Sequence, residues 1–108
     1  MINVAKEFLQ DLQNRICDAL ERLDGKHRFS RQPEITSQAG LSDPRILAGS
    51  GPIEKAAVNF SHSIGDSLPN AVSDSRKDIA GSPFEAVSLS LIVHPRNPFV
   101  PTTHMNLR

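Results

Sequence analysis

Two stretches of strict alternation near the carboxyl end, joined by a proline-spaced connection, constrain this chain more than any other feature. Val87, Leu89, Leu91 and Val93 alternate with Ser88, Ser90, Ile92 and His94. A period of two sends the two sets to opposite faces of a β-strand. Pro95, Pro98 and Pro101 punctuate the connection, and beyond it His104, Asn106 and Arg108 again take every second position. Treating residues 95–103 as the loop of an antiparallel pair predicts His94 opposite His104, Ile92 opposite Asn106 and Ser90 opposite Arg108. Ser90, His94, His104, Asn106 and Arg108 then share one sheet face. Directly opposed Cβ atoms lie roughly 4.5–5.5 Å apart, close enough for two imidazoles to share a ligand, a proton or a metal.

The rest of the chain reads as one helix and further strands. Residues 3–24 form an amphipathic helix with Val4, Phe8, Leu9, Leu12, Ile16, Leu20 and Leu23 on its apolar stripe, Asn3 as N-cap and Gly25 as stop. Cys17 borders that stripe and reads as a packing residue. Residues 26–43 are polar without a usable period. Strands are expected at about 45–48, 53–64, 84–94 and 103–108, with Gly49-Ser50-Gly51-Pro52 as a turn between the first two. On the long second strand, Glu54, Ala56, Val58, Phe60, His62 and Ile64 take one face and Lys55, Ala57, Asn59, Ser61 and Ser63 the other. His62, grouped with Val58 and Phe60, reads as structural. Asp66 to Ser82 is a polar connection with a helical turn expected at Asp74–Ile79. One helix followed by strands with long connections predicts an α+β fold, an antiparallel β-sheet with the amino-terminal helix packed on one face.

Composition narrows the function classes. With 108 residues the chain holds one domain at most, and a hydrophobic fraction of 38% with five Phe and no Trp or Tyr makes its core small. Twelve basic residues balance twelve acidic ones, which argues against a nucleic-acid binder relying on phosphate attraction. No apolar run spans a membrane, and no secretory signal is visible. A single cysteine excludes an internal disulfide and fits a reducing compartment, so the expected location is cytoplasmic.

Several motifs carry a family resemblance. The run His94-Pro-Arg-Asn-Pro-Phe-Val-Pro-Thr-Thr-His-Met-Asn-Leu-Arg108 resembles a segment of the oxygen-dependent coproporphyrinogen III oxidases. Glu54-Lys-Ala-Ala-Val-Asn-Phe-Ser-His62, Ala80-Gly-Ser-Pro-Phe-Glu-Ala86 and the helix around Phe8–Cys17 are similar to further segments of that family, in the same order. The resemblance covers nearly the whole chain and about the first third of the family's usual length. It implies a single partial domain over residues 1–108, an amino-terminal portion of the coproporphyrinogen oxidase fold. The chain departs from the family at Ala39-Gly-Leu-Ser-Asp-Pro-Arg-Ile-Leu47, where most glycines of a glycine-rich run are lost, and at Glu34, near the place of a usual Trp.

The function this resemblance implies is oxidative decarboxylation of coproporphyrinogen III to protoporphyrinogen IX in haem biosynthesis. O₂ is the co-substrate, CO₂ and H₂O₂ are products, and no flavin, nicotinamide or haem takes part. The same resemblance makes His104 the catalytic proton donor and Ser90, Asn106, Leu107 and Arg108 the substrate-binding residues. It offers His94 and His104 as ligands of a divalent metal, whose involvement is left open. Full-length members are homodimers, and the family's later carboxylate and arginine have no counterpart here. The other reading is a non-catalytic truncated paralogue that binds a tetrapyrrole or pairs with another chain, because a strand reaching Arg108 leaves an edge that invites pairing.

Overall fold

The computed structural model describes residues 2–31, 34–35, 40–65 and 84–108. Helix α1 spans Ile2–Asp24, followed by β1 (Ser30–Arg31), β2 (Glu34–Ile35), β3 (Leu41–Ala48), β4 (Ile53–Gly65), β5 (Phe84–Pro95) and β6 (Thr103–Leu107). The strands form one antiparallel sheet in the order β1-β3-β4-β5-β6, with β2 pairing β3 beside β1. The helix lies on one face, so the architecture is α+β. The connection expected over Asp66–Ser82, including its helical turn, lies outside the described residues.

The alternation of β4 and β5 decides where the core sits. Val58, Phe60, Val87, Leu89 and Leu91 are buried together against Leu9 and Cys17 of α1, with Ala5, Leu12, Ile16, Leu20 and Met105 packed around them. A β-bulge between Ile53 and Lys55 adds one residue to β4. It allows both Ile53 and Ala56 to join Leu47 in the inner layer.

The helix is rotated from its expected seating. Val4, Phe8 and Leu23, placed on the buried stripe by spacing alone, are 68%, 60% and 70% exposed, whereas Gln13 is wholly buried. Gln13 Nε2 donates to the backbone oxygens of Asp43 (2.9 Å) and Val58 (3.1 Å), so one amide ties the helix to two adjacent strands. An apolar side chain at this position would bury just as well but could not engage those carbonyls. Cys17 packs beneath the helix as expected. Burial pushes its thiol above the ordinary range against the opposing influence of Arg45, which keeps it an unreactive core residue.

Strand β3 begins at Leu41, four residues before the expected start at Arg45, and β1 and β2 fall inside the stretch expected to be irregular. Pro44 makes β3 hard to foresee, because a residue without an N–H argues against an inner strand. The pairing explains how it is accommodated. β1 pairs with Arg45 and Ile46, and β2 with Leu41 and Ser42, leaving Pro44 at the gap between them among the described residues. Beside it, buried Asp43 Oδ2 meets Arg45 Nη2 at 3.5 Å and Arg31 Nη2 at 3.3 Å, while Arg45 Nη1 donates to Asn14 Oδ1 at 2.7 Å.

The far end of α1 is fixed by its last residue. Gly25 adopts a positive φ of 76°, and its N–H donates to the Glu21 oxygen at 2.9 Å, ending the helix in a left-handed cap. The Asp24 carboxylate then accepts from the N–H groups of Lys26 (3.4 Å), His27 (3.0 Å) and Ile53 (3.2 Å). The β3–β4 turn presses against this cluster. A Cβ at Gly51 would meet Asp24 Oδ1 at 2.5 Å, and one at Gly49 would overlap the His27 ring. Ser50 N–H donates to His27 Nε2 at 2.9 Å, and Arg96 donates to the oxygens of Gly49 and Gly51 from the other side. Arg96, within the His94–Arg108 motif, is thereby committed to holding the turn.

These two buried polar anchors have measurable effects on stability. Gln13→Ala should lower the unfolding free energy by about 2–4 kcal/mol in urea titrations, through lost packing and two vacated carbonyls. Burial alone would raise the Asp24 carboxyl, but the N–H groups of Ile53, His27 and Lys26 outweigh it and hold it below the usual aspartate range. A depressed folded value means that this stabilisation is complete above the unfolded aspartate value of about 3.9, and is lost as pH falls through the lower folded value. Urea midpoints of the wild type should therefore fall on acidification below about pH 4 more steeply than those of Asp24→Asn, which starts lower at neutral pH.

Candidate functional site

With the helix on one face, every alternate residue of the central strands is turned to the other. The pairing arranges these outward residues in transverse rows. Ser42, Ser61 and Ser88 stand side by side across β3, β4 and β5, and Ser61 Oγ and Ser88 Oγ share a hydrogen bond of 2.7 Å. The next row reads Pro44, Asn59, Ser90 and Asn106, and the one after it Ile46, Ala57, Ile92 and His104. Lys55 and His94 pair in the row beyond. Adjacent strands are roughly 4.8 Å apart, so the polar side chains of one row can touch the same ligand.

The register of β5 with β6 differs from the expected one by two residues. Ser90 lies opposite Asn106 and Ile92 opposite His104, not Arg108 and Asn106. His94 consequently has no direct partner on β6 and is diagonal to His104, where Cβ atoms are about 7–8 Å apart. The reason lies in the connection. Pro98 and Pro101 cannot donate to a ladder, and the segment turns on itself, with Val100 N–H bonded to the Asn97 oxygen at 3.0 Å and Phe99 N–H to Asn97 Oδ1 at 2.9 Å. The ladder closes on Val93 and Thr103, so the connection is 94–102 and not the expected 95–103. A slip of two preserves the face, so Ser90, His94, His104 and Asn106 remain on one side. β6 ends at Leu107, one residue short of the strand expected to reach Arg108. Leu107 alternates to the helix side of β6, leaving its backbone as the part near the outer face.

A depression of about 140 Å³ opens on this outer face, lined by Ala57, Asn59, Ser90, Leu91, Ile92 and His104. Two of the residues singled out from sequence, Ser90 and His104, therefore border one hollow. Asn106 is next to Ser90, and His94 and Arg108 lie outside the lining. His104, Asn106 and Arg108 are all exposed. Sequence reading missed Asn59 and Lys55. Asn59 Oδ1 is buried without a hydrogen-bond partner among the described residues, and a larger polar side chain between Ala57 and Ser61 on the outer face was the signal available. Lys55 adds a cation directly beside His94.

Other candidates separate from this face. His62 Nε2 meets Glu85 Oε1 at 2.6 Å on the helix side, a hydrogen-bonded pair away from the outer face. The helix side also has a larger groove of about 770 Å³ between α1 and β5, lined mainly by apolar groups such as Leu20, Leu23, Val93 and Val100. Its one charged residue, Arg96, is engaged by turn carbonyls, so the groove offers little chemistry. As for a metal, His94 and His104 supply two exposed imidazoles on a diagonal. Among the described residues no group of three His, Cys, Asp or Glu side chains gathers to hold an ion. Two ligands fall short of the three or four that a protein-built zinc-type centre needs.

The model of one protein family, coproporphyrinogen III oxidase, matches residues 4–108. The chain belongs to the coproporphyrinogen III oxidase family, and with it to a family of oxidoreductases. Among the described residues no helix is long and apolar enough to cross a membrane. The pairing that organises the outer face is directly measurable. NOE cross-peaks should link Ser90 with Asn106 and Ile92 with His104 across β5 and β6, whereas peaks linking Ser90 with Arg108 would restore the register shifted by two.

Proposed function

We propose that the outer face of this sheet is the platform on which coproporphyrinogen III is held for oxidative decarboxylation, a step of porphyrin and haem biosynthesis. The observation that carries this reading is the grouping of Ser90 and His104 around one depression, with Asn106 beside it, in a chain of this family. The substrate is a flexible macrocycle with four propionates. Ser90 Oγ and Asn106 offer hydrogen bonds to it, the Leu107 backbone lies in the same contact line, and the Arg108 guanidinium forks onto a propionate. Lys55 beside His94 provides a second cation for another carboxylate.

For each propionate the chemistry balances with one O₂. The C–H bond on the ring-adjacent carbon and the bond to the carboxylate both break, and a vinyl group and CO₂ form. The two electrons released reduce O₂, which with the departing proton and one more proton becomes H₂O₂. In this reading His104, which is exposed and borders the depression, supplies that additional proton as general acid. No step is routed through a metal. The same reading places the protein in the cytoplasm, with its one cysteine buried, and working as a homodimer or with a second chain.

One observation favours a non-catalytic alternative. β6 has no strand beyond it among the described residues, and an open edge is a template for pairing with another chain. The two readings part in one experiment. If the chain is catalytic, His104→Ala should lower turnover of coproporphyrinogen III about a hundredfold or more while leaving affinity nearly unchanged. If it is a binding module, wild type and variant will bind alike and neither will release CO₂. In both cases Arg108→Ala should weaken binding about tenfold, the loss of one charge-assisted contact. Unchanged affinity would remove Arg108 from the site.

A further inference from the structure

Asn59 is the polar residue of the outer face that the proposed chemistry leaves unused, and its surroundings give it a specific task. It stands in the centre of β4, the middle strand of the sheet, paired with Ser90 on one side and Pro44 on the other. Asparagine is disfavoured inside strands, and a buried acceptor left unpaired costs free energy that an apolar residue would not. Among the described residues its Oδ1 has no hydrogen-bond partner. The same side chain lines the depression together with Ser90 and His104. Its neighbours Ala57 and Ser61 are small, so no side chain on its own strand overhangs it. Pro44 has no N–H to offer.

We infer that Asn59 is a ligand-binding residue whose carboxamide turns its buried oxygen toward the depression and accepts a hydrogen bond from a pyrrole N–H of a tetrapyrrole lying on the outer face. This rests on the reading of that face as a coproporphyrinogen III platform. The chemistry of the ligand selects the acceptor. A porphyrinogen presents its carboxylates at the periphery, where cations suit them, and four neutral N–H donors at its centre, which need an acceptor. Ser90 and then Asn106 follow Asn59 in one row on its β5 side, and His104 stands one row away. A ring centred over Asn59 therefore brings its periphery over the residues assigned to substrate binding. Asn59 would also distinguish the reduced macrocycle from the oxidised porphyrin, which keeps only two central N–H groups and is planar.

The test is anaerobic calorimetric titration of the 108-residue chain with coproporphyrinogen III and, separately, with coproporphyrin III. The variants are Asn59→Val and Asn59→Asp. The wild type is expected to prefer the porphyrinogen. Asn59→Val should bind it about tenfold more weakly, lose the preference, and melt at a higher temperature because the unpaired oxygen is gone. Asn59→Asp, which keeps an acceptor, should restore the preference. If both variants bind like a wild type that does bind porphyrinogen, Asn59 has no such role and the platform reading survives alone. If Asn59→Val fails to fold or melts lower, the residue is structural and the inference is overturned. A wild type that binds no porphyrinogen would sink both.

Discussion

A single helix can bury only one face of a sheet, and the rest of this structure depends on which face α1 takes. The contact is made by Leu9 and Cys17 against Val58, Phe60, Leu89 and Leu91, and is locked by the Gln13 amide reaching across to β3 and β4. Burying each large side chain in that layer is worth about 1.5–3 kcal/mol. The amide does something that hydrophobic burial does not: it has direction. A helix held only by its apolar stripe could roll, and the exposed Val4, Phe8 and Leu23 show that apolar surface is available on more than one side. Two hydrogen bonds from one buried residue select a single roll. Once that is set, the period of two commits Asn59, Ser90, Ile92, His94, His104 and Asn106 to the opposite face.

The features legible in the sequence are those governed by parity and period. The alternation of 87–93 and of 104–106 assigned faces correctly, and a two-residue error in register left those assignments intact, because only an odd slip exchanges faces. The error came from treating residues 95–103 as a simple loop. β5 runs on to Pro95 alongside β4, but its ladder with β6 closes on Val93 and Thr103, so the connection is 94–102, centred one residue earlier than the expected 95–103. Hidden from the sequence were features that arise from two distant segments meeting. Gln13 looks like a solvent-facing residue until the carbonyls of Asp43 and Val58 are placed over it. Pro44 looks like a strand breaker until the gap between β1 and β2 is known. Asn59 looks like an ordinary polar position until its oxygen is found buried and unpaired.

Charge on the two faces obeys the same division. On the helix side most charged groups find partners within the chain, although Gln13 Oε1, Asp43 Oδ1 and Arg45 Nε have none among the described residues. Asp43 is shared between Arg31 and Arg45, His62 pairs with Glu85, Asp24 is saturated by backbone donors, and Arg96 is spent on the turn. On the outer face Ser61 and Ser88 satisfy each other, but Lys55, His94, His104, Asn106 and Arg108 form no ion pair with one another or with a carboxylate among the described residues. Positive and polar groups gathered on one surface, with no anion among the described residues paired to them, suit a ligand that brings its own carboxylates. The net charge of zero for the whole chain conceals this asymmetry.

The shape of the outer face limits what it can do unaided. A hollow of about 140 Å³ is smaller than the roughly 300–1,000 Å³ of pockets that enclose a ligand. A macrocycle resting here meets the described residues with one of its faces only. Such one-sided contact would leave reacting propionates open to water, and a proton donor at the position of His104 would act in a high dielectric, where its advantage is small. The geometry is therefore better matched to orienting a tetrapyrrole than to sealing it. Fast chemistry would need the opposite face of the ligand to be covered as well. The exposed position of His104, at the rim and not the floor of the hollow, is where a group would sit if the reacting carbon lay at the boundary between this sheet and whatever closes over it.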